Sequence, residues 1–294
     1  MSSYNNTARI KSLTLKNFKS IKEETYEFTD FDLLIGRNNS GKSSILQALA
    51  IWQYCIDEFR RSKRSGKSAI QFVLPNFTPM PLPKFALLWY QQTDRKNVKT
   101  DKGNKPELFF IEIDVIWNVK NKDNEFIEKH FGVTLRYHSH QSIYAGPCEG
   151  WDTFKEIEKE NLFPNILYVP PFSGFEASEQ RKDISVVKMQ VGKFQPGSVA
   201  RNILLRVFSE KADSASPTEK NKSRWDKLNQ IIKDLFSIDL LNPQYREGQD
   251  TLITCEHMQS EDKKKYDLIS GGTGFHQTLL LLSSIYAFNP NVVL

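Results

Sequence analysis

From Ile10 to Phe18, the apolar residues Ile10, Leu13, Leu15 and Phe18 are interspersed with Lys11, Thr14 and Lys16 in the imperfect alternation of a half-buried strand. A second strand signal covers Tyr26 to Ile35. It peaks in Phe31-Asp32-Leu33-Leu34-Ile35, a run short enough for a buried strand and closed by Gly36. The period then changes. Ile45, Leu46, Leu49, Trp52 and Ile56 recur at three- and four-residue intervals, which predicts an amphipathic helix over 43–59. The opening therefore reads strand, strand, glycine loop, helix.

Pro75, Pro79, Pro81 and Pro83 interrupt any regular element in the next stretch. Alternation returns over 108–119, with Phe109, Ile111, Ile113, Val115 and Trp117 on one face and Phe110, Glu112, Asp114, Ile116 and Asn118 on the other. A polar turn at 120–125 and a β pattern from Phe131 to Tyr137 complete an antiparallel hairpin. Asn165 to Val169 reads as a core strand stopped by Pro170-Pro171. Helices are expected over 197–208 and 225–236, with a polar linker over 210–223 between them. Strand signals at 239–241 and 251–255 flank the turn-rich Arg246-Glu247-Gly248-Gln249-Asp250, and an apolar helix follows over 277–288.

Composition narrows the class. With 39% apolar and 12% aromatic residues, the chain of 294 can bury a large core, and no apolar stretch reaches the roughly 18 to 20 residues of a membrane span. The first nine residues lack the apolar core of a signal peptide. Cys55, Cys148 and Cys255 are too few and scattered for a disulfide framework, so a soluble cytoplasmic protein without membrane attachment is expected. The balance of 40 basic against 35 acidic residues mildly favours a polyanionic partner. Arg60, Arg61, Lys63, Arg64 and Lys67, with Lys11, Lys16, Lys19 and Lys22, are candidate DNA contacts or simply a solvated face. His138 and His140 share a face of a predicted strand, but no Cys or carboxylate cluster accompanies them, and they are not read as a metal site.

The strongest chemical signal is Gly36-Arg37-Asn38-Asn39-Ser40-Gly41-Lys42-Ser43, which satisfies G-x-x-x-x-G-K-[ST] between an apolar run and a periodic helix. Gly36 and Gly41 let successive amides converge on phosphate oxygens. Lys42 would reach the β- and γ-phosphates, and Ser43 would ligate Mg²⁺. Asn39 suits a left-handed position. The binding set is Gly36, Asn38, Asn39, Ser40, Gly41, Lys42, Ser43 and Ser44, with ATP and Mg²⁺ as ligands. A second nest, Ser270-Gly271-Gly272, opens the helix near the other end, where a hydroxyl and two amides can address a phosphate.

These two motifs, in this order, resemble the ABC-type ATPases, in which a Ser-Gly-Gly signature on one subunit closes over ATP held by the phosphate loop of another. Ile10-Lys11-Ser12-Leu13-Thr14-Leu15-Lys16-Asn17-Phe18-Lys19-Ser20 and the stretch from Leu34 to Leu46 are similar to the SMC, RecF and OLD (overcoming lysogenization defect) branch. The resemblance is specific over roughly the first 50 and last 30 residues. It implies an α/β fold, a P-loop NTPase head of ABC type with an antiparallel β region and a helical insertion. It divides the chain into a P-loop lobe (1–60), a β-rich region (61–160), a core strand with helices (161–238) and a signature lobe (239–294), together one incomplete ATPase domain. It also implies a homodimer in the ATP state and a role in DNA repair, DNA maintenance or defence against phage.

In that family the Walker B carboxylates follow the strand seen here at Val292-Val293-Leu294, so the resemblance implies catalytic residues beyond Leu294, with room for a nuclease domain or partner behind them. Without them the alternative is an ATP-binding regulatory module that does not hydrolyse. Thr273-Gly274 departs from the usual Gln or Glu after Ser-Gly-Gly. The coordinating Gln has three equal candidates, Gln180, Gln190 and Gln195. A transporter ATPase places the two motifs much closer together. A GTPase needs an Asn-Lys-x-Asp reader, which neither Asn121-Lys122-Asp123-Asn124 nor Asn221-Lys222-Ser223-Arg224 supplies.

Overall fold

The computed structural model describes residues 8–37, 40–62, 69–100, 103–171, 174–209, 219–259 and 264–294. It is a mixed α/β structure that divides into two compact units, residues 1–168 with 290–294, and residues 169–289.

In the first unit, strands β1 (Arg9–Phe18), β2 (Ile21–Glu27), β3 (Ile70–Val73), β6 (Ile111–Lys120), β7 (Phe126–Ser139) and β8 (Ser142–Pro147) form a six-stranded sheet in the order β2-β1-β6-β7-β8-β3. Every pairing in it is antiparallel. The alternation read from Ile111 onward is realised in β6, whose odd-numbered side chains are buried and even-numbered ones half-exposed. A separate hairpin joins β4 (Arg95–Thr100) to β5 (Gly103–Leu108). Helix α1 (Lys42–Ser62) packs its apolar face on β1 and β6. Its Trp52 is fully buried against Trp117 and Phe163 and donates its indole N–H to the Phe131 carbonyl at 2.9 Å. Such a ring is large enough that truncation to Ala removes about 3–5 kcal/mol. The short strands β9 (Ile166–Leu167) and β13 (Val292–Val293) pair in parallel, and Gln53 of α1 accepts the Ile166 amide at 2.9 Å. Helix α2 (Trp151–Lys159) completes the unit.

The expected buried strand at Phe31–Ile35 does not form. Strand β2 ends at Glu27, and Asp32 then accepts the Thr29 amide at 2.9 Å and the Thr29 hydroxyl at 3.0 Å, a local turn that leads the chain away from the sheet. Both edges of β1 are already taken by β2 and β6. Phe31, Leu33 and Ile35 are left 85%, 72% and 84% exposed. Between this run and β13 lies a cavity of about 970 Å³ whose walls include Phe31, Leu34, Leu46, Leu49 and Leu294.

In the second unit, helices α3 (Ile184–Gly192), α4 (Ala200–Phe208), α5 (Glu219–Phe236) and α6 (Thr273–Phe288) gather around Ile203, Leu204, Leu228, Ile232, Phe275 and Leu279. Strands β10 (Ile238–Leu240), β11 (Glu256–Gln259) and β12 (Lys265–Asp267) form an antiparallel sheet. The strand expected over 251–255 is displaced. Thr254 makes only an isolated bridge with Gln244, because the Arg246–Asp250 turn keeps the chain folded on itself until Glu256. The linker expected over 210–223 is shorter than its composition implies, since α5 begins at Glu219, and residues 210–218 lie outside the described residues. Among the described residues no helix is long and apolar enough to cross a membrane.

Candidate nucleotide-binding site

The phosphate loop links the exposed run ending at Ile35 to α1. The structure brings Gly36, Ser40, Gly41, Lys42, Ser43 and Ser44 together there, while Asn38 and Asn39 lie outside the described residues. Gly41 has φ +89°, a region that L side chains rarely adopt, and a Cβ on Gly36 would stand 2.9 Å from Ser40 Oγ. The Gly41 carbonyl accepts the amides of Ser44 and Ile45 at 2.9 and 3.2 Å, closing the first helical turn. The amides before them have no intrahelical acceptor by geometry, so the dipole and the N–H groups of α1 face outward at Lys42 and Ser43. The Lys42 ammonium donates to the carbonyls of Gly36 and Arg37, both at 2.7 Å. These donors suit a triphosphate, and the exposed Ser43 hydroxyl suits its Mg²⁺.

Residues that local motifs do not reveal surround this loop. Lys19, in the turn after β1, is half-buried and donates to Gln47 Oε1 on α1. Burial pulls its ammonium down to about 8. Gln47 also hydrogen-bonds the Tyr168 phenol, whose own proton is held more tightly because of burial. In the sequence Lys19 is one of several scattered lysines. Its neighbours Lys11 and Lys16 are instead paired with Glu128 and Glu112 on the sheet face. Arg60 and Arg61 are likewise matched by Glu158, Asp57 and Glu58. Lys63, Arg64 and Lys67 lie outside the described residues.

In the second unit, Ser270, Gly271 and Gly272 sit together at the start of α6, with Ser270 and Gly272 exposed. A buried polar frame holds this turn. Glu179 accepts the Arg201 and Asn202 amides, both at 2.8 Å, and so caps α4; burial still raises its carboxyl above the usual range, against those hydrogen bonds. The Arg201 guanidinium is 1% exposed. It donates to the carbonyls of Glu176 and Ala177 and, at 2.8 Å, to Asp267, which in turn accepts the Ile269 amide at 2.9 Å. His276 reaches back to the Leu268 carbonyl at 2.8 Å. A Cβ on Gly271 would meet Phe275 at 2.3 Å, whereas one on Gly272 would meet nothing within 4 Å. The fold therefore requires glycine at 271 and leaves space at 272.

The glutamine candidates remain apart in role. Gln190 and Gln195 share a cavity of about 830 Å³ with Lys182 and Glu176, the Gln190 side-chain oxygen being buried without a hydrogen bond, while Gln180 is exposed. Cys55 and Cys255 are buried with their thiols pushed up by desolvation, as packing residues would be. His138 packs edge-on against Tyr144 and His140 bonds the Tyr137 hydroxyl.

Residues 9–54 match the family model described as an AAA ATPase domain. Over this segment the chain is similar to AAA-type ATPase domains. The match covers β1, β2, the phosphate loop and most of α1. No curated protein matches the chain. A solved structure described as "Structural biochemistry of ATP-driven dimerization and DNA stimulated activation of SMC ATPases" is similar over 53% of this chain and 81% of its own, at 16% identity and a TM-score of 0.26. That score is too low to support a structural argument.

Proposed function

We propose that the chain operates as an ATP-dependent dimerisation switch of the SMC, RecF and OLD kind, serving DNA repair, DNA maintenance or defence against phage. The observation that carries this reading is the Ser270-Gly271-Gly272 turn. Its outer residues, Ser270 and Gly272, are exposed, and the fold itself does not need glycine at 272. A glycine without an internal reason fits close approach by an outside group. Bound ATP·Mg²⁺ supplies the phosphate charge that bridges two copies. Lys42 would exchange the Gly36 and Arg37 carbonyls for phosphate oxygens, and Ser43 would hold the metal. Ser270 of a second copy would then close over the γ-phosphate, so that nucleotide state sets dimer population.

The test is ATP binding together with molecular mass by light scattering. Lys42→Ala should weaken ATP binding about 10- to 100-fold through loss of a charge-assisted contact. Ser270→Arg should bind ATP as the parent does and remain monomeric. ATP-dependent dimers in both variants, or no ATP-dependent dimer in the parent, would refute the switch. The DNA role rests on the resemblance. It predicts salt-dependent DNA binding that weakens when Lys63, Arg64 and Lys67 are neutralised together.

A further inference from the structure

On the face of the six-stranded sheet opposite the buried rings, three strands bring Asp114, His130 and Glu149 together, with one ligand atom from each lying within 4.8 Å of the others. Asp114 is on β6, His130 on β7, and Glu149 follows β8. His130 Nε2 stands 2.5 Å from Asp114 Oδ1 and 3.5 Å from Glu149 Oε1. Two ligands on one tetrahedral Zn²⁺, with bonds near 2.0–2.1 Å, are separated by about 3.3 Å; the His130–Glu149 spacing is near that value, and the His130–Asp114 contact would have to open by about 1 Å to admit the ion. Asp114 Oδ1 is closed to solvent and meets the His130 imidazole without the alignment of a hydrogen bond, a contact that an ion drawn between the two groups would replace with ligand bonds.

The backbone also prepares the site. Gly132 lies opposite Asp114 in the ladder, and a Cβ there would fall 2.9 Å from Cys148 Sγ and 3.1 Å from Asp114 Oδ1. The missing side chain keeps the hollow open. The Gly132 amide donates to both Glu149 oxygens, at 3.1 and 3.0 Å, and thereby anchors that carboxylate next to the hollow. One imidazole with two carboxylates is a borderline-to-hard donor set, suited to Zn²⁺ or Mn²⁺ more than to Cu⁺, with water completing the shell.

We propose that Asp114, His130 and Glu149 form a divalent transition-metal site, taking Zn²⁺ foremost, separate from the Mg²⁺ of the phosphate loop. The alternative is a histidinium held by two carboxylates as an ordinary surface ion pair. The experiment titrates the full chain, stripped with EDTA and free of nucleotide, with Zn²⁺ in excess Mg²⁺ by calorimetry. One equivalent should bind, and His130→Ala and Asp114→Asn should each weaken it at least tenfold, while Cys148→Ser leaves it unchanged. Cobalt substitution gives a second readout, visible absorption bands present in the parent and absent in Asp114→Asn, which holds even if His130→Ala folds poorly. Absence of saturable Zn²⁺ binding, binding indifferent to both ligand substitutions, or binding lost only in Cys148→Ser would overturn the site.

Discussion

In the phosphate loop, Lys42 folds back onto the carbonyls of Gly36 and Arg37, so the loop is closed by the same group that would serve a ligand. At the Ser-Gly-Gly turn no functional side chain supports the shape. Asp267 and His276 hold it from behind, and the buried Arg201 and Glu179 hold Asp267 and α4 in place. The first element can exchange partners at little expense to the fold, because its bonds are local and replaceable. The second is built into a core and presents its exposed residues without rearranging. In the proposed switch the first would capture a phosphate and the second would recognise one already captured.

This contrast is most easily broken at Arg201. Arg201→Met leaves the Glu176 and Ala177 carbonyls and the Asp267 carboxylate without their donor, and urea unfolding should show a loss of about 2–3 kcal/mol. Lys42→Met should change stability by no more than about 0.5 kcal/mol, since only exposed loop carbonyls lose a partner. Equal losses in both would erase the distinction. The two signature glycines sharpen it further. Gly271→Ala forces the Phe275 ring to move and should remove about 1–3 kcal/mol, with Gly272→Ala within about 0.5 kcal/mol of the parent in the same measurement.

A further test concerns the phosphate-loop side. Lys19 titrates at about 8 in the folded protein against 10.5 in its ordinary state. Between those values the unfolded chain binds the extra proton, so stability should rise with pH from about 8 to 10.5. Lys19→Met should lack that rise. A parent and variant with parallel pH profiles would place Lys19 in solvent.

How much of this was legible beforehand depends on how local each determinant is. The phosphate loop is eight consecutive residues, and β6 is a run of strict alternation whose turn follows immediately; both could be read from neighbours alone. The run Phe31–Ile35 looks like a core strand by the same rule, yet hydrophobicity specifies a wish for burial and not a partner, and the Thr29–Asp32 turn denies it the adjacent sheet. Arg201 and Asp267 are 66 residues apart. Asp114, His130 and Glu149 meet only through the registers of two hairpins. His138 and His140 are the histidines close together in sequence, whereas the one that clusters with carboxylates is His130.

The exposed run before the phosphate loop also bears on how the molecule behaves among copies of itself. Phe31, Leu33 and Ile35 form a short, exposed apolar run with no sheet partner among the described residues, the kind of segment that can template strand addition in protein aggregates. Asp32 is the charge set into it, while Asp30 just before it is paired with Arg9 at 3.0 Å. A second copy laid in register on this run would bring Asp32 against its own like charge. The Asp32 carboxylate should therefore oppose self-association through this run, and salt that screens it should raise light scattering of the folded chain before the core is affected.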